Sequence, residues 1–272
     1  MALLKGIVLL PGIFIYILTG LFVKIIFFIP SWRLRIISYW TKIFCNYLRF
    51  ILKIKVFVEG GKPRLNREGV FIISNHLGYL DGIILGSLFP VIYVSKAEVK
   101  KWPLFGWVSE AGSTILIDRK RKSRSPDYIQ EAALALKRKL NLLIFPEGTS
   151  TCGEKLLPFQ SIHFQSCLDA QSQILPVIIT YTKINGLKAT VENRDKVCWY
   201  GQVSFLRHVC GVLGLHSLEA KVAIQPRIEP QDFIKYGSSR KELGHELYGR
   251  MAINYPLFRV APTPSGMVKL SP

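Results

Sequence analysis

Charge is absent from residues 6–23, an apolar run interrupted only by Pro11 and Gly12. Lys24 ends it, and Ile25-Ile26-Phe27-Phe28-Ile29-Pro30 resumes the apolar character. About 20 apolar residues cross a bilayer core, so the run is long enough to span, while the Pro-Gly pair equally suits a segment that enters and returns. A cleavable leader is the third option. The bulky, basic Phe22-Val23-Lys24-Ile25-Ile26 lacks the small-x-small site that cleavage needs, so the run is expected to stay as an anchor. Residues 32–55 then adopt helical periodicity. Trp32, Ile36, Ile37, Trp40, Phe44, Tyr47, Leu48 and Ile51 recur on one face, interleaved with Arg33, Arg35, Lys42, Arg49, Lys53 and Lys55. This predicts a basic amphipathic helix suited to an anionic membrane surface, with packing on the domain as the plainer alternative. Its charge puts this side in the cytoplasm if the preceding run spans.

Downstream, short β-branched and aromatic runs alternate with helical stretches. Strands are predicted at 54–58, 70–73, 91–94, 114–117, 142–145, 175–180 and 222–224. The clearest helix covers 126–140, with Ser125 as N-cap, Pro126 in the first turn and Ile129, Ala132, Ala133, Leu136 and Leu140 on one face. Ser239-Arg240-Lys241-Glu242 has the form of a capping box and predicts another. Such alternation implies an α/β fold, a mainly parallel sheet flanked by helices, behind an N-terminal membrane-anchoring helical segment.

Composition narrows the partners. In 272 residues, 36 Lys and Arg oppose 18 Asp and Glu, a net charge of +18, which favours anionic partners. A hydrophobic content of 49% points to membrane, and no zinc-finger spacing or aromatic RNA-binding motif accompanies the charge, so no nucleic-acid partner is expected. Cys45, Cys152, Cys167, Cys198 and Cys210 are odd in number and lack a C-x-x-C, which implies a reducing compartment and neither a disulfide framework nor a zinc site. His163, His208, His216 and His245 are scattered and are expected to be packing or surface residues.

Three stretches carry candidate chemistry. The first is the strand at 70–73 leading into Ser74-Asn75-His76-Leu77-Gly78-Tyr79-Leu80-Asp81. Five residues of regular helix rotate about 500°, which would hold His76 and Asp81 about 140° apart. With His76 in the loop and Asp81 in the next helix's first turn, the carboxylate instead folds back on the ring, making a general base without its own nucleophile. Chance alone produces such a pair often enough that context must decide. The second stretch, 112–119, is a strand ending in Arg119, whose guanidinium suits bidentate phosphate recognition; Lys120, Arg121, Lys122 and Arg124 beyond it read as a solvated basic loop. The third, Phe145-Pro146-Glu147-Gly148-Thr149-Ser150, is a strand end turning through Gly148, with hydroxyls and amides available to anionic oxygens. No G-x-S-x-G, Walker motif or G-x-G-x-x-G is present.

Together, Asn75-His76 with Asp81, the strand ending at Arg119 and Phe145-Pro146-Glu147-Gly148-Thr149 resemble the glycerolipid acyltransferases typified by lysophosphatidic acid acyltransferases. Ile174-Leu175-Pro176-Val177-Ile178 looks like that family's apolar strand near the acyl tunnel, though plain core fits it as well. The resemblance implies His76 and Asp81 as the catalytic pair and Arg119, Glu147, Gly148 and Thr149 as acceptor-binding residues, with Glu147 fixing Arg119 or its loop. It implies transfer of a fatty acyl group from acyl-CoA or an acidic acyl carrier protein, as co-substrate, to a lysophospholipid hydroxyl, with 1-acylglycerol-3-phosphate as the leading acceptor. No cofactor or metal is expected. Ser150 stands where many members carry Arg, which keeps a lyso-aminolipid such as lyso-ornithine lipid open as acceptor. A non-catalytic lipid-binding protein on the membrane surface is the remaining alternative. The expected organisation is an anchoring segment over 1–52, an acyltransferase domain over 53–258 and a loose tail over 259–272, held at the cytoplasmic face of a membrane.

Overall fold

A computed structural model describes residues 2–61, 65, 68–102, 104–118, 125–233 and 239–255. Arg119, the basic residues that follow it through Arg124, and the tail expected over 259–272 lie outside the described residues.

Two long helices come first, α1 (Ala2–Ile26) and α2 (Pro30–Ile51). Then follow β1 (Ile54–Glu59), β2 (Phe71–Ser74), α3 (Tyr79–Leu88), β3 (Ile92–Lys96), α4 (Phe105–Ala111), β4 (Ile115–Ile117), α5 (Ser125–Lys137) and β5 (Leu142–Ile144). The chain closes with α6 (Gln165–Ala170), β6 (Ile174–Ile184), β7 (Leu187–Lys188), α7 (Phe205–Gly214), β8 (Leu218–Ile224) and α8 (Arg240–Ile253). The strands form one sheet in the order β1-β8-β6-β2-β5-β3-β4, with β7 paired to β6. Every pairing along that order is parallel except β6 with β8. All seven predicted strands are present, and the α/β reading with a mainly parallel sheet holds; β7 carried no signal because it is a two-residue return closing the turn at Asn185 and Gly186.

Both faces of the sheet are buried, which explains why the central strands read as unbroken apolar runs. Val70 and Ile72 face α3, while Phe71 and Ile73 face the side covered by α5, α6 and α8. Residues 174–178 of β6 are wholly buried between β2 and β8, so this stretch is core. Helix α5 stops before the predicted Leu140: Lys139 takes φ +60°, its N–H meets Leu136 O at 2.8 Å, and Leu140 N–H meets Ala135 O at 3.1 Å. That is the closing geometry usually given to glycine. Ahead of α8, Ser239 and Glu242 exchange the expected capping bonds, 3.3 Å in each direction.

The N-terminal helices bear on one point left open by the sequence and depart from one expectation. Helix α1 runs unbroken through Pro11 and Gly12. Gly12 lies against the Tyr47 ring, where a β-carbon would collide, and the Tyr47 hydroxyl donates to Val8 O in the turn whose hydrogen-bond ladder proline interrupts. The pair is thus a packing site between two helices. In α2, the apolar stripe expected to meet a membrane packs inward instead, with Ile37, Phe44 and Leu48 buried against α1 and α3. Trp32, at the start of that stripe, stays exposed, and Tyr39, Ile43 and Phe50 outside it also face outward. Helix α1 is the one described helix long and apolar enough to cross a membrane, and its outer face leaves Leu10, Phe14, Leu18 and Phe22 exposed. It is tied to the domain at both ends: Lys5 Nζ donates to Leu215 O at 2.6 Å, and Lys24 Nζ pairs with Glu110 at 2.7 Å.

Candidate active site

The site is built where parallel strands end, the edge at which open α/β sheets bind ligands. Ile73 of β2 pairs with Ile144 of β5, and the two chains leave the sheet in step. His76 and Glu147 each lie three residues beyond that pair, so register alone brings them together.

Asn75 extends the sheet past the end of β2 with its side chain. Its Oδ1 accepts from Ile179 N at 2.8 Å and its Nδ2 donates to Ile179 O at 3.0 Å, imitating a peptide group paired to β6. His76 follows in the loop and Asp81 sits in the first turn of α3, where a carboxylate also favours the helix N-terminus. His76 Nδ1 lies 2.9 Å from Asp81 Oδ2. The same oxygen accepts from Leu77 N at 2.6 Å and Gly78 N at 2.9 Å, and Oδ1 accepts from Tyr181 Oη at 2.6 Å. Asp81 is fully buried and acts as an acceptor in each of these bonds, so the proton between it and His76 belongs to Nδ1. Nε2 is left with its lone pair, and the His76 side chain keeps 22% of its surface exposed. Phe145 stacks on the imidazole, centroids 4.0 Å apart and planes 14° from parallel, which holds the ring and supports a positive charge on it.

Glu147 is buried and reaches back into the protein. Its Oε1 accepts from His76 N at 2.7 Å and its Oε2 from Leu157 N at 2.8 Å. Placed by resemblance among the acceptor-binding residues and expected to act by fixing Arg119 or the loop, in this geometry it clamps the histidine loop to the segment after the turn. Burial pushes its carboxyl up to about 7, against the pull of the two backbone amides and with a contribution from the nearby Asp81 charge. Gly148 takes φ +76°, a conformation that strains other residues, and its N–H closes the turn on Phe145 O at 3.0 Å. Thr149 is exposed at the tip. Thr151 N donates to His76 O at 2.9 Å, and Trp199 N to Leu77 O at 2.9 Å. The loop backbone is therefore held from three directions. The chain places His76, Asp81 and Glu147 together with Gly148 and Thr149 beside them, while Arg119 is outside the described residues.

Sequence reasoning passed over several participants. Tyr181 escaped because the predicted strand stopped at Thr180, one residue short; extending the alternation of Leu175, Val177 and Ile179 would have put it on the α3 face. Trp199 comes from a stretch with no periodic signal. With Tyr79, Trp102, Phe105 and Phe205 it forms an aromatic cluster beside the loop, ring centroids 4.8 to 6.3 Å apart in five of its contacts. His163 and His208 are buried, with Nδ1 3.2 and 3.0 Å from the hydroxyls of Tyr128 and Tyr79.

Comparison with known proteins gives the family and the fold. A family model described as Acyltransferase matches residues 55–180. The lyso-ornithine lipid O-acyltransferase of Pseudomonas aeruginosa is 38% identical over 151 residues, 56% of this chain and 55% of that protein. The lyso-ornithine lipid O-acyltransferase of Rhodobacter capsulatus is 32% identical over 209 residues, covering 75% of this chain and 71% of the relative. A 1-acyl-sn-glycerol-3-phosphate acyltransferase of Neisseria gonorrhoeae is 30% identical over 129 residues, 47% of this chain and 51% of its own length. The crystal structure of the 1-acyl-sn-glycerophosphate acyltransferase of Thermotoga maritima shares the fold, with a TM-score of 0.61 at 17% identity over 93% of this chain and 97% of that one. With a family model over residues 55–180 and a relative 32% identical over 71% of its length, the chain belongs to the acyltransferase family of lyso-ornithine lipid and 1-acyl-sn-glycerol-3-phosphate O-acyltransferases.

Proposed function

We propose that this protein moves a fatty acyl group from an acyl thioester to the free hydroxyl of a lyso-ornithine lipid at a membrane surface. The carrying observation is the 2.9 Å contact of His76 Nδ1 with a buried, fully engaged Asp81, which turns Nε2 outward as a base. In the reaction the acceptor hydroxyl attacks the thioester carbonyl and gives its proton to Nε2. The C–S bond then breaks, and the departing thiolate takes that proton. The nucleophile belongs to the acceptor, so no acyl-enzyme forms. Base catalysis of this kind is typically worth about 10² to 10⁴ in rate. Asp81 orients the ring and stabilises the imidazolium. Glu147 and Phe145 keep the loop and ring in place, and the exposed turn at Gly148 and Thr149, with Arg119, is assigned to the acceptor's polar end. Acyl-CoA or an acidic acyl carrier protein serves as donor.

Acceptor choice rests on two observations. The Pseudomonas and Rhodobacter relatives are named for lyso-ornithine lipid, and Ser150 fits a head group that bears a carboxylate and an ammonium group but no phosphate. The Neisseria relative favours 1-acylglycerol-3-phosphate as the second reading. The exposed apolar faces of α1 and α2 support membrane association through residues 1–52. The packing of α1 on α4 and α7 and its fastening at both ends support a position along the membrane surface with only its outer face in lipid, on the cytoplasmic side that the basic charge of α2 favours. The test supplies purified protein with labelled acyl-CoA or acyl carrier protein and vesicles containing either lysolipid, with products resolved by mass. Acylated ornithine lipid is expected; product from the phosphate acceptor alone would transfer the assignment to it, and no product from either would remove the reading.

A further inference from the structure

Tyr181 is the buried side chain for which neither the family resemblance nor the base mechanism has a use, yet it makes a short contact in the site, 2.6 Å from Oη to Asp81 Oδ1. Strand β6 continues past the end of its partner β2, whose last pairing is Ser74 with Val177. The overhang carries Tyr181 to the α3 face, above the histidine loop. Immediately after it the register with β8 slips: Tyr181 pairs with Ala220 and Lys183 with the adjacent Glu219, leaving Thr182 as a bulge. Bulges collect beside functional sites because they re-aim the strand. This one is finished internally, since Thr182 Oγ1 donates to Glu219 O at 3.2 Å and Thr182 O accepts from Ala189 N at 2.9 Å.

We infer that Tyr181 is a positioning residue of the acyl transfer, the third member of a Tyr181–Asp81–His76 chain in which the phenol holds the carboxylate that holds the imidazole. The inference rests on the proposed role of His76 as base. On the loop side, Asp81 has all its bonds through Oδ2, to the ring and to two amides. The phenol is the partner on Oδ1, and through it Asp81 is fixed against rotation by the sheet itself. It also draws negative charge away from Oδ2. The other titratable groups facing Asp81 are Glu147 from the turn after β5, Cys198 from the loop ahead of α7, and Tyr255 after α8. The titratable groups in direct hydrogen-bond contact with its oxygens, among the described residues, are Tyr181 and His76. Burial and the Asp81 charge keep the phenol protonated, so it remains a donor throughout the working range.

The experiment compares wild type, Tyr181→Phe, Asp81→Asn, the double variant and His76→Ala in the full-length protein, by kcat, both KM values and the pH profile of kcat/KM. A lost hydrogen bond to a charged group predicts a fall in kcat of about tenfold or more in Tyr181→Phe, with both KM values within about twofold. Without the phenol, charge concentrates on Oδ2 and the protonated His76–Asp81 pair is favoured, so the acid limb should move to higher pH. In the Asp81→Asn background Tyr181→Phe should change kcat by less than about twofold, because its effect passes through the carboxylate. Melting temperature and circular dichroism identify any misfolded variant; if Tyr181→Phe misfolds, 3-fluorotyrosine at position 181, a stronger donor of nearly the same size, should move the acid limb to lower pH. Unchanged kcat and limb in a folded Tyr181→Phe, an unmoved limb in the fluorinated protein, or an equal loss in both backgrounds would overturn the inference while an inactive His76→Ala left the base intact. Full turnover in His76→Ala would overturn the base and this inference with it.

Discussion

The histidine loop and the N-terminal helices solve opposite problems. Between Asn75 and Asp81 the polar groups named above find partners inside the protein: Asn75 on β6, His76 N on Glu147, His76 O on Thr151, Leu77 O on Trp199, and Asp81 on three loop donors and Tyr181. On the outer faces of α1 and α2 and in the link between them, apolar side chains are left exposed, with Phe14, Phe22 and Trp32 each about 60% exposed and Phe28 85%. A loop so completely engaged needs nothing from outside to hold its shape. A surface so apolar needs an external phase, since exposed patches of this kind mark interaction sites. The contrast teaches that chemistry and location are separate investments in this chain, and each can be disturbed without the other.

The largest expected effect breaks the loop alone. Asp81→Asn puts an amide group among three N–H donors and should lower kcat by about 10² to 10⁴ while lysolipid KM stays nearly constant, as steady-state assays would show. Vesicle binding should be untouched. The converse variant carries Phe14→Ser, Leu18→Ser and Phe22→Ser on the outer face of α1, and should weaken flotation with anionic vesicles by about tenfold per position, from the apolar burial each large side chain loses. Its melting temperature should stay near wild type, because these residues make no core. Loss of folding in that variant would show that the two regions are not separable.

Smaller effects sharpen the picture of the loop. Burial raises the Glu147 carboxyl from 4.5 to about 7, so between those values the folded chain holds a proton that the unfolded chain has released. Stability should therefore fall as pH rises through that window, by at most about 1.4 kcal/mol per pH unit. Glu147→Gln, which does not titrate, should remove that part of the slope in urea titrations at several pH values, and should lose one of the two backbone bonds as well. The smallest effect is assigned to Gly148→Ala, where φ +76° forces a β-carbon into the left-handed region at about 1 to 2 kcal/mol. In steady-state assays kcat per folded molecule should change little while the lysolipid KM rises, because this turn is assigned to the acceptor's polar end.

Legibility in the sequence followed the range of the interaction. The strands at 70–73 and 142–145 were readable because burial on both faces writes an apolar run, and the spacing of His76 and Asp81 was readable because it admits contact only across a loop-to-helix junction. The capping pair Ser239 and Glu242 is local and was readable for the same reason. Pro11-Gly12 was ambiguous, since residues that punctuate a chain in isolation here receive Tyr47 from another helix. The stripe on α2 misled: a periodic apolar face says that something covers it, and α1 and α3 do so in place of lipid. Tyr181 and Trp199 reach the loop across 100 and more residues of chain, and only the sheet order brings them there.

The most direct test of the account is the single-turnover rate of His76→Ala against wild type, measured with labelled acyl thioester and saturating lyso-ornithine lipid in vesicles. The account predicts a loss of about 10² to 10⁴ in the chemical step with lysolipid binding intact. A rate within a few-fold of wild type, in a variant that folds and binds, would contradict it.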